Sequence, residues 1–169
     1  MYGGTMRSGH VSRELWALDL NTLIWERVET SQGQCMASEV AKLCGPINSM
    51  GHTAHVVVNR MIVIFGHSPK YGYLDTVQEC KKIFLMELFF HKNLCIFTRN
   101  FFFFPSDHFL NKEWSILPTS GYPVRGGFGH SSVWDDITNR IYVYGGYVST
   151  APTHAVIGNY VAVLNNHLR

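Results

Sequence analysis

Charge is scarce in this chain. Asp, Glu, Lys and Arg make up 15% of its 169 residues, against about a quarter in ordinary soluble domains. The formal net charge is +2, and Lys and Arg are scattered, with Lys81-Lys82 the basic pair of note. A nucleic-acid surface or an acidic-lipid patch is therefore not expected. Cysteines number 4, and no two form C-x-x-C, so zinc-ribbon and thioredoxin-like readings fail. The sequence has no Asn-x-Ser/Thr acceptor and no Gly-x-Ser-x-Gly elbow. Gly126-Gly127-Phe128-Gly129 lacks the Lys-Ser/Thr that would make it a phosphate loop. The opening Met-Tyr-Gly-Gly-Thr has neither a basic start nor an apolar run. It reads as the interior of a domain and not as a signal peptide.

Apolar residues are plentiful instead, at 46%, with 14% aromatic. Such a chain collapses rather than staying disordered. Its length suits one domain with a core of ordinary size.

Two stretches repeat. One runs Gly51-His52-Thr53-Ala54-His55-Val56-Val57-Val58, a turn at Asn59, then Arg60-Met61-Ile62-Val63-Ile64-Phe65-Gly66-His67. The other runs Gly129-His130-Ser131-Ser132-Val133-Trp134, a turn through Asp135, Asp136 and Asn139, then Arg140-Ile141-Tyr142-Val143-Tyr144-Gly145-Gly146. Tyr2-Gly3-Gly4 fits the tail of a third copy. A weaker pattern follows the glycines: residues 14–20, a turn at Asn21-Thr22, then a strand with Trp25. After His67 come Tyr73–Gln78 and, much later, a strand with Trp114. Each unit thus reads as four short strands. Stacked around an axis, such sheets bury both faces, which accounts for all-apolar Met61–Phe65. Paired glycines serve sharp turns with positive φ.

The spacing is uneven: Gly3 to Gly66 is 63 residues and Gly66 to Gly145 is 79, where such repeats run near 50. A loop from Ser31 to Pro46 lengthens the first interval. The second holds the Phe-rich residues 80–110, which match no unit. Glu87, His91, Lys92 and Arg99 interrupt any membrane span there, and a buried or amphipathic helix over Ile83–Phe90 is a weaker reading. Phe codons are thymine-rich, so Phe101–Phe104 reads as a translated pyrimidine tract at an intron's end. The segment is expected to be an aberrant insertion from faulty splicing or gene prediction, prone to aggregation.

These units resemble kelch repeats. Their marks are Gly3-Gly4 with Trp25, Gly66 with Trp114, and Gly145-Gly146 with no following Trp. His67 reads as replacing a second glycine, a costly exchange if that position needs positive φ. The phrases GHTAHVVVNRMIVIFGHSPKYGYLDTVQE and WSILPTSGYPVRGGFGHSSVWDDITNRIYVYGG resemble the attractin and attractin-like family more closely. The resemblance implies an all-β fold, a partial kelch-type β-propeller of about three incomplete four-stranded blades. Its expected parts are blades over 1–79, the insertion over 80–110, a blade over 111–148, and an irregular tail over 149–169 that reads as the start of a further blade. It also implies a non-catalytic protein-interaction module of a longer cell-surface or secreted glycoprotein, with protein partners, no cofactor, no nucleic acid, and membrane attachment through other modules. An intracellular kelch adaptor and a product without function are the alternatives. A copper-dependent propeller enzyme would need a Tyr, Cys and His cluster across more blades than these.

Individual residues are read accordingly. Cys35 and Cys44 bracket a short loop and read either as a disulfide, if the chain is secreted, or as two buried or idle thiols. His52 and His55 lie three apart and tend to face opposite sides of a strand, which is poor geometry for one metal. His52 and His130, with Gly51 and Gly129, occupy equivalent repeat positions and read as architectural. Ser131, His130 and Asp135 or Asp136 do not form a triad, since adjacent strand residues point apart. No catalytic, cofactor or metal residue is expected. Partner-binding loops are expected at Thr5–Arg13, Ser68–Tyr73 and Ser120–Arg125, carrying Arg7, Tyr71, Tyr73, Tyr122 and Arg125, because Tyr and Arg are frequent interface anchors.

Overall fold

The computed structural model describes residues 1–33, 45–57, 60–84, 110–121, 124–151, 154–157 and 161–165. Among them the secondary structure is all β, the architecture of a partial β-propeller. The first blade contributes β1 (Leu15–Leu18) and β2 (Trp25–Val28), antiparallel, with Tyr2 bridged to Leu15. The Asp19 carboxylate accepts N–H bonds from Asn21 and Thr22, both 2.8 Å, and closes the β1–β2 turn. This is the local bonding that makes Asp a turn residue.

The second blade is complete. It runs β4 (Thr53–Val57), β5 (Arg60–Ser68), β6 (Gly72–Phe84) and β7 (Leu110–Leu117), with spatial order β4-β5-β6-β7. β3 (Ser31–Gln32) adds in parallel to the outer edge of β7. Residues 80–84 extend β6 and residue 110 opens β7. The Phe-rich segment thus connects two hydrogen-bonded strands of one blade, and residues 85–109 lie outside the described residues.

The third blade corrects the reading of the tail. β9 (Ser131–Asp135) and β10 (Arg140–Tyr144) pair as expected, and β13 (Val161–Asn165) pairs with the other side of β10. β13 is therefore the third strand of this blade and not the start of another. It is displaced along the chain by an inserted hairpin, β11 (Tyr147–Ala151) and β12 (His154–Ile157). With β8 (Gly127–Phe128) this hairpin forms a separate three-stranded sheet. The insertion made β13 look premature in the sequence.

The register fixes the repeat. Tyr2, Ile64 and Tyr144 pair with Leu15, Val77 and Val161, and each precedes a left-handed pair of residues. Those pairs are Gly3-Gly4 (φ 61 and 88), Phe65-Gly66 (φ 54 and 115) and Gly145-Gly146 (φ 71 and 84). This corrects the assignment at His67. The substituted position is the first glycine, taken by Phe65, while His67 lies in ordinary β conformation. In the second and third blades the second position is sterically closed, whereas in the first blade it is Gly3, whose Cβ would sit 2.6 Å from the Ser49 carbonyl oxygen, that is closed and Gly4 that is open. A Cβ on Gly146 would sit 2.8 Å from the His130 nitrogen, and one on Gly66 would sit 3.1 Å from the His52 Cβ.

Both faces of the second blade are buried, as its apolar strand implies. Ile62, Ile64, Phe65 and Val77 pack against Ile141, Val143, Trp134 and Leu164 of the third blade. Val63, Cys80 and Trp114 pack against Tyr2 and Leu15 of the first. Each such aliphatic side chain contributes about 1.5–3 kcal/mol on burial. Trp25 and Trp114 occupy the same register position, opposite Leu18 and Cys80.

Candidate partner-binding face

In an antiparallel blade, alternate connections emerge at opposite ends. At one end lie the segments leading into the blades (residues 45–52, 118–121 and 124–130) and the β5–β6 turn at 69–71, with residues 5–13 from the first blade. Backbone bonds tie these segments together. Gly129 N–H donates to the Gly51 carbonyl at 2.7 Å, and Met50 and His67 exchange bonds of 3.0 and 2.9 Å. The described parts of the expected loops therefore share one end of the molecule, and the inserted hairpin rises from the same end.

Below this end, the innermost strands of the second and third blades are joined by side chains. His55 Nε2 lies 2.6 Å from Ser132 Oγ, which lies 2.6 Å from Thr53 Oγ1, which lies 2.9 Å from His130 Nε2. Alternation places Thr53 and His55 on the face toward the third blade and Ser132 on the face toward the second. Burial disfavours the imidazolium form. It lowers the pKa of His55 and of His52, and with the nearby His52 charge it brings His130 down to about 4. His52 itself packs at 5.2 Å from the Tyr2 ring, and His130 at 5.5 Å from the Phe65 ring.

A row of rings crosses from the second blade to the sheet of the inserted hairpin. His67 meets Tyr73 edge-on at 5.1 Å, Tyr73 stacks on Phe128 at 5.7 Å, and Phe128 stacks on Tyr147 at 5.2 Å. Offset stacks of this kind add about 0.5–1.5 kcal/mol per pair beyond area. Between the first and second blades lies a polar cleft of about 600 Å³, lined by Arg13, Glu14, Arg27, Glu29, Lys70 and Tyr71 among others. Arg27 pairs with Glu14 at 3.6 Å and Glu29 at 2.6 Å, and the Lys70 ammonium sits 4.8 Å above the Tyr71 ring.

The expected anchors separate on this framework. Arg7 sits exposed in a tight turn closed by a Gly9 N–H to Met6 carbonyl bond of 2.9 Å. Tyr71 lines the cleft. Tyr73 belongs to the ring row, Arg125 is exposed in the lead-in to β8, and Tyr122, Cys35 and Cys44 lie outside the described residues. Phe128 and Tyr147 were not singled out by sequence. Their signal is adjacency to repeat glycines, Phe128 before Gly129 and Tyr147 after Gly146. Among the described residues, no three of His, Cys, Asp and Glu converge as a metal site, and no helix is long and apolar enough to cross a membrane.

The chain matches the Attractin/LZTR1 beta-propeller family over residues 1–165. It belongs to that family. Among curated proteins of this kind, tag-53 of Caenorhabditis elegans is 28% identical over 138 residues, covering 80% of this chain and 8% of that protein. Multiple epidermal growth factor-like domains protein 8 is 23% identical in both mouse and human, covering 85% of this chain and 4% of each. The chain thus spans less than a tenth of the length of these relatives. For an attractin-type propeller, the repeated Gly-His lead-ins and the paired left-handed residues are what bring one blade against the next.

Proposed function

We propose that this chain is a non-catalytic protein-interaction module of a longer attractin-like glycoprotein, on the extracellular side of the plasma membrane or secreted. Its ligands are other proteins, met by the loop end of the blades. The observation that carries this reading is the gathering at that end of the cleft with Tyr71, Lys70 and Arg13, the ring row ending at exposed Tyr147, and Arg125. Aromatic and cationic side chains on a rigid scaffold are the usual anchors of an interface. The extracellular setting is supported by relatives named for epidermal growth factor-like domains, a disulfide-dense class of secreted module. A Cys35–Cys44 disulfide accords with it, while an intracellular adaptor would keep both thiols free. Intact-mass analysis after alkylation without reduction separates the two settings.

The test of the interaction role is cross-linking of the purified chain to living cells, followed by mapping of the linked residues. Partner cross-links are expected at Lys70 and neighbouring loop positions, with capture reduced several-fold by Tyr71→Ala combined with Arg125→Ala. Unchanged capture by that folded variant, or cross-links confined to the opposite end, would sink the proposal.

A further inference from the structure

The cleft between the first and second blades has both of its walls inside the chain. One wall is formed by the loop-side ends of β1 and β2, the other by the lead-in at 45–48 and the β5–β6 turn. Its charges do not cancel. Glu14 is engaged at both oxygens: one accepts the Trp16 indole N–H at 3.0 Å, and the other faces Arg27 at 3.6 Å. Glu29 is held by the same guanidinium at 2.6 Å. Arg27 alone therefore accounts for both carboxylates lining the cleft. Arg13 and Lys70 remain, and neither has an acidic partner among the described residues. The Tyr71 ring, 4.8 Å from the Lys70 ammonium, positions that charge without neutralising it.

A buried donor joins them. Ser68 lines the cleft and is 1% exposed. Its oxygen accepts the Lys70 N–H at 3.4 Å, while its own hydroxyl hydrogen meets no acceptor among the described residues. Two uncompensated cations and a free hydroxyl donor call for an acceptor that carries negative charge. We infer that this cleft takes an acidic segment of a protein partner, with carboxylates held by Arg13 and Lys70. The inference rests on the partner-binding reading of this end and narrows it to one class of partner. A guanidinium matches a carboxylate through paired N–H bonds, and the lysine adds a point charge. Leu15, Val28 and Ile47 supply an apolar wall for the stems of the incoming side chains. The volume of about 600 Å³ suits a few side chains inserted into a cleft. Glu14 and Glu29 decide against a polyanion. Their charges repel a continuous row of sulfates or phosphates, whereas a peptide can space its carboxylates to meet the two free cations.

The test selects phage-displayed random peptides on the full chain and measures the selected peptides by fluorescence anisotropy. They should be enriched in Asp and Glu over the unselected library, and their binding should weaken as salt is raised. Arg13→Gln and Lys70→Gln alter exposed residues, so each is expected to fold, checked by near-ultraviolet circular dichroism. Each should weaken binding of the acidic peptides about fivefold. The double variant Arg13→Glu with Lys70→Glu should select Lys- and Arg-rich peptides instead. Selection without acidic enrichment, undiminished affinity in the folded variants, or a reversed variant that keeps the acidic peptides would overturn the inference. So would a heparin fragment that displaces the peptides more effectively than an acidic peptide of equal charge, since that outcome marks a polyanion site. Cell-surface capture that excess acidic peptide leaves undiminished overturns this inference and spares the partner-binding reading. Absence of any capture overturns that reading itself.

Discussion

Acidification should weaken the contact between the second and third blades, and His130 sets the size of the effect. Its imidazole is buried between Thr53 and the Phe65 ring. Burial, reinforced by the nearby His52, holds its pKa at about 4, against the ordinary 6.5. The folded state therefore binds a proton less readily than the unfolded chain. The resulting stability is fully present above pH 6.5 and is lost as the pH falls from there towards 4. With about 1.4 kcal/mol per pH unit, the loss is about 3 kcal/mol at most. His55 and His52, also lowered by burial, add to it in the upper part of the same window. Urea unfolding of the wild type at intervals from pH 7.5 to 4 measures the loss, and His130→Gln provides the comparison, since glutamine bonds Thr53 without titrating. The variant should be less stable at pH 7.5 but should lose about 2–3 kcal/mol less on acidification. If both proteins lose the same stability over that window, His130 is not the titrating group and the reasoning fails.

Four further outcomes follow from the packing. Glu79 is buried on β6, pairs with Arg60 at 3.4 Å and Lys81 at 2.7 Å, and accepts from Ser115 at 3.2 Å; Glu79→Ala should cost about 3 kcal/mol in urea unfolding, and Arg60→Met added to it should recover part of that loss. Trp114→Ala should cost about 3–5 kcal/mol, whereas Trp25→Ala at the equivalent exposed position should cost less than about 1 kcal/mol when measured on dilute protein. Leu23→Gly should stabilise by about 0.5–1 kcal/mol, because Leu23 is exposed with φ at 58° and gains nothing from its side chain. The Cys80 thiol, pushed up to about 11 by burial, should resist iodoacetamide at pH 8 in the folded chain and react on unfolding.

The blade pattern was legible because its causes are local. Arg60–Gly66 and Arg140–Gly146 repeat in sequence, and an all-apolar strand such as Met61–Phe65 requires cover on both faces. Trp25 and Trp114 matched as lone strand aromatics and proved to share a register position. Three features were not legible. Phe65 adopts the left-handed conformation of a glycine because its ring packs at the blade contact, a tertiary reason invisible in the residue type. β13 is separated from β10 by the inserted hairpin, so its membership depends on a pairing that sequence order conceals. The bonds of His55 with Ser132 and of Thr53 with His130 join residues 77 apart, and no local rule links them. For the binding loops, residue type pointed to Tyr73 and Tyr71 alike, but only geometry separates a ring packed against Phe128 from one lining a cleft.

The His55–Ser132–Thr53–His130 chain binds two rings on different blades into one protonation unit. Each hydroxyl carries a single hydrogen, so the two of them can supply two of the three links. When both hydroxyl hydrogens are spent within the chain, the third comes from one imidazole Nε2 and the other Nε2 accepts. In that arrangement two neutral rings hold opposite tautomers. The hydrogen order at one ring is thereby tied to that at the other across the contact between two blades.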